Sequence, residues 1–217
     1  MFGRKSRESE TVVQLLAAQV RRDISLGALA PDTKLKIDVL RQRYGGSAHS
    51  FREALTLLAS EGIVEASAQR GFRVASATQS DLEDITRLRA EIEPLGLGWS
   101  IKHGDLHWEG AVLAALHTYS RLCAQAAEDP AGRAIEWDEA ARHFHATLVS
   151  ACRSPRLIDF QDRLFTQSRR FRFAALGEGR IDLDADIAAC RLVVDATLAR
   201  DGESASEHLA QQILSSI

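Results

Sequence analysis

Four side chains that can donate hydrogen bonds are grouped at the start of one predicted helix, within residues 45–62. They are Ser47, His49, Ser50 and Arg52. The N-terminus of a helix adds unpaired backbone N–H groups that suit phosphate oxygens, and a guanidinium suits the acceptor edge of guanine. This set of donors is therefore typical of a helix that binds DNA. An ordinary capped surface helix with a solvated arginine is the alternative interpretation.

An apolar stripe on the same segment predicts a helix that packs on a small core, because its members recur at helical spacing. A shorter helix precedes it, and the Gly45-Gly46 pair supplies the tight turn expected between two crossed helices. Two short strand-like runs follow and flank a basic tip at Gln69-Arg70-Gly71, which predicts a β-hairpin. The residues of the stripe are Phe51, Ala54, Leu55, Leu58 and Ala59.

The charges of the chain are divided unevenly between its two parts. Over 217 residues the net charge is −3. Residues 1–78 contain 12 Lys and Arg against 8 Asp and Glu, a net charge of +4, whereas residues 79–217 contain 15 against 22, a net charge of −7. The positive charge that favours nucleic acid is thus concentrated in the first part. We expect two domains, with a boundary at residue 78.

The composition, 45% hydrophobic and 26% charged, is that of an ordinary globular protein. The sequence has no apolar run of about 18 residues, and its start lacks the apolar segment of a signal peptide. We therefore expect a cytoplasmic protein that does not contact a membrane. Its three cysteines are isolated in apolar helical patterns, so they do not indicate a disulfide framework.

Every segment after residue 78 has the pattern of a helix. Short loops join six such helices, so they can pack side by side as a bundle. The predicted fold class is mainly α: a winged helix-turn-helix with a small β-hairpin wing in residues 1–78, then an all-α six-helix bundle in residues 79–217. The predicted helices span about residues 80–101, 106–127, 133–152, 154–176, 183–200 and a last segment from about residue 204.

Residues 12–78 resemble the winged helix-turn-helix domain of the GntR family of bacterial transcription regulators. The matching segments are LAPDTKLKIDVLRQRYGGS, FREALTLLASEGIVE and QRGFRVA, and the order of REAL, EG and RG is specific. The resemblance implies that the donors of the predicted helix contact DNA, together with a lysine before the preceding helix and the tip of the hairpin. The residues so implied are Lys36, Ser47, His49, Ser50, Arg52, Arg70 and Gly71.

The predicted DNA-contacting helix departs from the family pattern at its start. Where relatives have S-R-T-P-x-R-E, this chain has S-A-H-S-F-R-E at residues 47–53. Ala48 replaces the first arginine, and His49 has entered. We therefore expect the preferred DNA sequence to differ from the family consensus at the positions that the missing arginine would read.

Residues 79–217 resemble the FCD effector domain of FadR-type GntR regulators, and six helices are typical of its VanR-like branch. The matching segments are DLEDITRLRAEIEP, HFHATLVSACRSPRLIDF, DRLFTQSRRFR and VVDATLARDGESAS. The resemblance implies a homodimer whose helical domain binds a small-molecule effector, for which we expect a carboxylate.

Arg89 lies on the predicted inner face of the first bundle helix. It would either pair with Glu93, one turn later, or clamp a carboxylate ligand as the corresponding arginine of FCD domains can. His145 shares a face with apolar residues, where a histidine is more often a hydrogen-bonded core residue than a ligand. Arg172 belongs to a basic run. Either the whole run is solvated, or one of its arginines reaches the pocket. The candidate effector-binding residues are Arg89, His145, Arg172, Cys190 and Gln212.

Many FCD domains bind a divalent metal through one aspartate and three histidines, of which this chain retains one histidine. His145 remains, but the aspartate position is Ala141, and the two other histidine positions are Cys190 and Gln212. A metal ion in a helical bundle needs about four protein donors, or three and a water, to offset the loss of its hydration shell. We therefore expect no metal and no other cofactor. Zinc bound through His145 and Cys190 is the alternative.

Together these features predict a sequence-specific DNA-binding transcription regulator and not an enzyme. It would bind a palindromic double-stranded operator as a homodimer, act as a repressor, and respond to an effector in the helical domain. A non-specific architectural DNA-binding protein is disfavoured because the helical part is acidic and large. An enzyme that uses the bundle cavity is disfavoured because the sequence has no nucleophile motif and no glycine-rich phosphate loop.

Overall fold

The computed structural model describes residues 2–215. Backbone packing divides the chain into two compact units between Thr78 and Gln79. Each unit has an apolar cluster of its own. The elements of the first unit are α1 (Phe2–Ser25), β1 (Lys34–Leu35), α2 (Ile37–Tyr44), α3 (Ala48–Ser60), β2 (Val64–Ser67) and β3 (Gly71–Val74).

Helix α3 lies at the centre of the first unit because one face of it is wholly apolar. The predicted stripe is confirmed, since Phe51, Ala54, Leu55 and Leu58 are fully buried. Helices α1 and α2 and strand β2 all pack against α3. The opposite face of α3 is left exposed, so its polar side chains are available to a partner.

The small sheet of the first unit has three strands in the order β1-β3-β2, all antiparallel. Strands β2 and β3 form the predicted hairpin, with Ser67 opposite Gly71 next to the tip. Strand β1 was not predicted, because its two residues are too few to have an alternating pattern. It pairs with β3 through Lys34 and Arg73. This pairing fixes the hairpin to the chain that leads into α2.

The second unit is the predicted bundle of six helices. Each helix starts and ends within a few residues of the predicted bounds. Local caps set the starts of the helices that begin at residues 106 and 155. Asp105 accepts a hydrogen bond from the Trp108 N–H at 2.9 Å, and Ser154 accepts one from the Leu157 N–H at 3.3 Å. The helices are α4 (Gln79–His103), α5 (Leu106–Glu128), α6 (Pro130–Val149), α7 (Pro155–Gly177), α8 (Leu183–Leu198) and α9 (Gly202–Ser215).

Helix α4 approaches α6 and α7 closely at one glycine. A Cβ atom on Gly96 would lie 2.7 Å from Leu157 Cδ2 and 2.9 Å from Val149 Cγ1. Both distances are shorter than normal carbon contacts, so only glycine fits at this crossing. Within residues 2–215, no helix is long and apolar enough to cross a membrane.

Candidate nucleic-acid interface and bundle cavity

The N-terminus of α3 carries four of the predicted DNA-contacting residues on one exposed end. Ser47 is the N-cap, and its hydroxyl accepts a hydrogen bond from the Ser50 N–H at 3.0 Å. The two hydroxyl oxygens lie 2.8 Å apart, which holds both at the end of the helix. Because the cap satisfies only part of the first turn, further backbone N–H groups remain open to an anion.

Arg52 and His49 point from the exposed surface of α3. His49 Nε2 lies 3.2 Å from Glu53 Oε1, and the His49 side chain is 80% exposed. Arg52 is exposed and makes no side-chain hydrogen bond or ion pair with any described residue. Its guanidinium is therefore free to donate two parallel hydrogen bonds to a base edge.

Lys36, Arg70 and Gly71 are exposed, but they belong to other elements of the first unit. Lys36 is the N-cap position of α2 and makes no side-chain cap there. Arg70 lies at the tip of the β2–β3 hairpin, where its backbone N–H donates to Ser67 Oγ at 3.3 Å. Gly71 has a φ of 73° and open space around its Cα, so the tip can approach a partner closely.

Two charged networks fix α1 against the helices that follow. Arg21 donates to both oxygens of Glu61, at 2.9 and 2.6 Å, which ties α1 to the end of α3. Tyr44 donates to Asp23 at 2.5 Å, and Arg43 also pairs with Asp23. Burial and the neighbouring Asp23 raise the pKa of Tyr44 far above its usual value, so its hydroxyl remains a donor. Together these contacts join α1 to the ends of α2 and α3.

A small cavity lies inside the bundle and is lined by side chains from all six of its helices. Its volume is about 20 Å³, room for one water-sized group. Four of the five predicted effector-binding residues are in this lining. The lining residues are Arg89, Tyr119, Trp137, Ala141, His145, Phe165, Arg172, Ile181, Asp186 and Gln212.

Arg89 and His145 share one buried carboxylate. Arg89 Nε donates to Glu93 Oε1 at 2.6 Å, and His145 Nδ1 lies 2.6 Å from Glu93 Oε2. Burial favours the neutral acid, but the charges of Arg89 and His145 prevail and lower the pKa of Glu93 to about 2. The predicted pairing of Arg89 with Glu93 is confirmed. Both residues nevertheless line the cavity, so pairing and ligand contact are compatible.

Arg172 is held by a carboxylate from the neighbouring helix α6. Its Nε donates to Asp138 Oδ1 at 2.9 Å, and a terminal nitrogen donates to the Phe165 carbonyl at 3.2 Å. Burial lowers the pKa of Arg172 while the charge of Asp138 opposes this effect. The guanidinium carbons of Arg172 and Arg89 lie 3.8 and 4.6 Å from the Phe165 ring centroid. Two cations therefore contact one aromatic ring beside the cavity.

The other side of the cavity is built on Asp186, a residue that the sequence analysis did not single out. Tyr119 donates to Asp186 Oδ2 at 2.6 Å, and Gln212 Nε2 donates to Asp186 Oδ1 at 2.7 Å. Burial, followed by the charge of Asp186, raises the pKa of Tyr119 well above its usual value, which keeps this donor protonated. Asp186 lies one helical turn before Cys190, a candidate effector-binding residue. That spacing was the sequence signal that could have identified Asp186 as part of the site.

Cys190 is fully buried but does not line the cavity. Burial, then the charges of Asp186 and Cys123, raises the pKa of its thiol well above the usual value, so the thiol is protonated at neutral pH. The Gln212 amide nitrogen donates to Asp186 and Ala141 has no donor atom, so the family's metal ligands are not reproduced here. In the part of the chain that the structure describes, no three His, Cys, Asp or Glu side chains are grouped to hold an ion.

Comparison with known proteins gives the same division of the chain. The profile of the bacterial regulatory proteins of the gntR family matches residues 13–74, and that of the FCD domain matches residues 84–214. The chain belongs to the GntR family. Its helix-turn-helix part and its bundle are thus the two halves of a DNA-binding transcription regulator with an FCD domain.

Two curated members of the GntR family resemble the chain over nearly its whole length. The uncharacterized HTH-type transcriptional regulator BphR of Paraburkholderia xenovorans (strain LB400) is 34% identical over 209 residues, 95% of this chain and 84% of that protein. The HTH-type transcriptional repressor GlaR of Escherichia coli (strain K12) is 34% identical over 201 residues, 91% of this chain and 90% of that protein.

Solved structures of GntR-like regulators share the fold. E. coli McbR/YncC superposes with a TM-score of 0.74 at 21% identity, covering 94% of this chain and 93% of that one. A putative GntR regulator from Rhodococcus sp. RHA1 superposes with a TM-score of 0.71 at 23% identity, covering 93% and 97%. The GntR fold is therefore shared at both the winged helix and the bundle.

Proposed function

We propose that this GntR regulator is a homodimeric repressor whose affinity for a palindromic operator changes when a small carboxylate enters the bundle cavity. The observation that carries the proposal is the exposed donor set on α3, with Arg52 unpaired among the described residues. GlaR, the 34% identical relative, is named a repressor, which supports this sign of regulation. The six bundle helices support a place in the VanR-like branch of the FadR subfamily.

On DNA, the residues at the start of α3 would divide into two roles. Ser47 and Ser50 would donate to phosphate oxygens, as helix N-termini commonly do. Arg52 would read a guanine in the major groove, and His49 would contact a neighbouring base or phosphate. Lys36, Arg70 and Gly71 would contact the backbone on either side. Since its partner is chromosomal DNA, the protein would act in the cytoplasm.

The effector would act by forcing the cavity open. A carboxylate with any carbon skeleton needs more room than about 20 Å³, so a bound ligand must displace side chains. Its carboxylate would compete with Glu93 and Asp138 for Arg89 and Arg172, in the part of the bundle where helices α4, α6 and α7 meet. Because every bundle helix contributes to the lining, widening the cavity repacks the bundle. The ligand lowers operator affinity only if it binds the repacked state more tightly.

A metal-free pocket is part of this proposal, as is the absence of catalysis. Zinc on His145 and Cys190 remains the alternative, and the lack of a third His, Cys, Asp or Glu donor grouped with them among the described residues argues against it. The GntR and FCD matches support a regulator with no enzymatic step.

A gel shift with the DNA upstream of the chain's own gene tests the proposed function. We expect a discrete complex that survives an excess of unrelated competitor DNA and weakens steeply with salt. Equal loss of the complex to any competitor would indicate an architectural DNA-binding protein instead. No complex at any salt concentration would contradict the proposal.

A further inference from the structure

The bundle cavity has one end that offers unused hydrogen-bond donors. Arg89 is 2% exposed, and only its Nε donates a hydrogen bond, to Glu93. Among the described residues its two terminal nitrogens have no acceptor. A guanidinium forms its strongest hydrogen bonds with carboxylate and phosphate oxygens. This end of the cavity therefore favours an anionic acceptor.

The other end of the cavity offers unused acceptors around a buried negative charge. Asp186 is 8% exposed, and its hydrogen-bond partners, Tyr119 and Gln212, are neutral. Among the side chains that the structure describes, no cation forms an ion pair with Asp186. Gln212 Oε1, in the same lining, accepts no hydrogen bond. An ionised carboxylate that is buried without an opposite charge is costly, so this end favours a cation.

From these two ends we infer that the ligand of the cavity is an amino acid, with its carboxylate on Arg89 and its ammonium group on Asp186 and Gln212. The inference rests on the proposed function and narrows the class of its effector. An ammonium group has three N–H donors, and a carboxylate that already accepts two hydrogen bonds has room for about two more. Gln212 Oε1 takes the third.

A plain carboxylic acid satisfies only half of the cavity. It would occupy the donors of Arg89 but leave Asp186 without a counter-charge. An alkylamine would do the reverse. Only a ligand with both groups gives the terminal nitrogens of Arg89 an acceptor and gives Asp186 a counter-charge.

Calorimetric titration of the full-length protein tests this inference. The probes are linear α- and ω-amino acids of two to six carbons, each beside the monocarboxylic acid and the alkylamine of the same length. We expect at least one amino acid to bind at a single site and at least ten times more tightly than both matched compounds. A carboxylic acid that binds as tightly as its amino acid would overturn the inference, and so would no binding by any amino acid.

The variant Asp186→Asn separates ligand recognition from folding. It keeps an oxygen that can accept the Tyr119 hydrogen bond but removes the charge. We expect the amino acid to lose at least tenfold in affinity, while the matched carboxylic acid changes less than threefold. The control is Asp184→Asn, an exposed aspartate on the same helix, which should leave both affinities unchanged. Equal losses for amino acid and carboxylic acid, or no loss, would overturn the role of Asp186.

Failure of this inference is distinguishable from failure of the proposed function. If operator binding is intact and a carboxylic acid without an amino group weakens it, the regulator stands and the amino-acid ligand is wrong. If an amino acid binds with the expected Asp186 dependence but no DNA is bound, the ligand stands and the regulator is wrong.

Discussion

At the residue scale, the account depends on which charged side chains are already paired and which are free. In the first unit Arg21 and Arg43 are engaged by Glu61 and Asp23, whereas Arg52 is unpaired and exposed. In the bundle, Arg172 is paired with Asp138, whereas the terminal nitrogens of Arg89 have no acceptor among the described residues. The free groups are the ones to which we assign recognition.

Arg52→Ala tests the proposed base contact. If Arg52 donates two hydrogen bonds to a guanine, its loss should weaken specific binding by roughly 1–3 kcal/mol and relax preference at one base pair. Gel shifts with single-base operator variants measure both effects. The control Arg22→Ala removes an equal charge from an exposed position on α1 and should leave the base preference intact. A mutant at Arg52 with unchanged preference would refute the assignment.

Glu93 should make the bundle sensitive to acid. Its folded pKa, about 2, is below the ordinary value of 4.5, so its stabilising contribution is present above pH 4.5 and is lost as the pH falls towards 2. The full loss in the free energy of unfolding is on the order of 3 kcal/mol. Denaturant unfolding at several pH values measures it. Glu93→Gln should lose this part of the pH dependence, whereas Glu91→Gln, exposed on the same helix, should not; equal slopes in all three proteins would contradict the account.

The metal content follows from the donors that remain. With Ala141 in place of a carboxylate and a protonated Cys190 thiol, we expect no stoichiometric divalent metal in protein purified without chelator. Elemental analysis measures it. Near one equivalent of zinc that is lost in Cys190→Ser would overturn this prediction in favour of a site on His145 and Cys190.

At the element scale, the sequence predicts most where a signal is local and least where partners are distant in the chain. The bundle helices were placed to within a few residues because caps such as Ser154-Pro155 are readable locally. Strand β1 was missed because Lys34 and Leu35 become a strand only by pairing with β3. The pairing of Arg89 with Glu93 was readable at its four-residue spacing. Asp138 and Asp186 acquire their roles only through Arg172 and Tyr119 on other helices.

The crossing of α4 over α6 and α7 gives a test at this scale. Gly96→Ala would place a methyl group against Val149 and Leu157, and we expect a loss of about 1–3 kcal/mol in the free energy of unfolding. Gly110→Ala on the exposed surface of α5 meets no atom within 4 Å and should instead stabilise by roughly 0.5–1 kcal/mol. Denaturant unfolding compares the two. The same sign for both variants would contradict the close packing.

At the scale of the whole molecule, the positive net charge lies in the unit that contains the helix-turn-helix. The net charge of residues 1–78 is +4 and that of residues 79–217 is −7, so attraction to DNA is confined to the unit that carries α3. In the proposed function the bundle contributes through ligand-dependent packing. Regulation then requires that a ligand distinguish two arrangements of the bundle, since equal affinity for both would shift nothing.

Selection of binding sites from random double-stranded DNA by the full-length protein tests the central claim most directly. We predict enrichment of a two-fold symmetric site, because a homodimer presents two copies of α3 to the DNA. The selected half-site should depart from the usual family consensus at the positions that the arginine replaced by Ala48 would read. Enrichment of no motif would contradict sequence-specific binding by α3, and recovery of the ordinary family consensus would contradict the role assigned to residues 48 and 49.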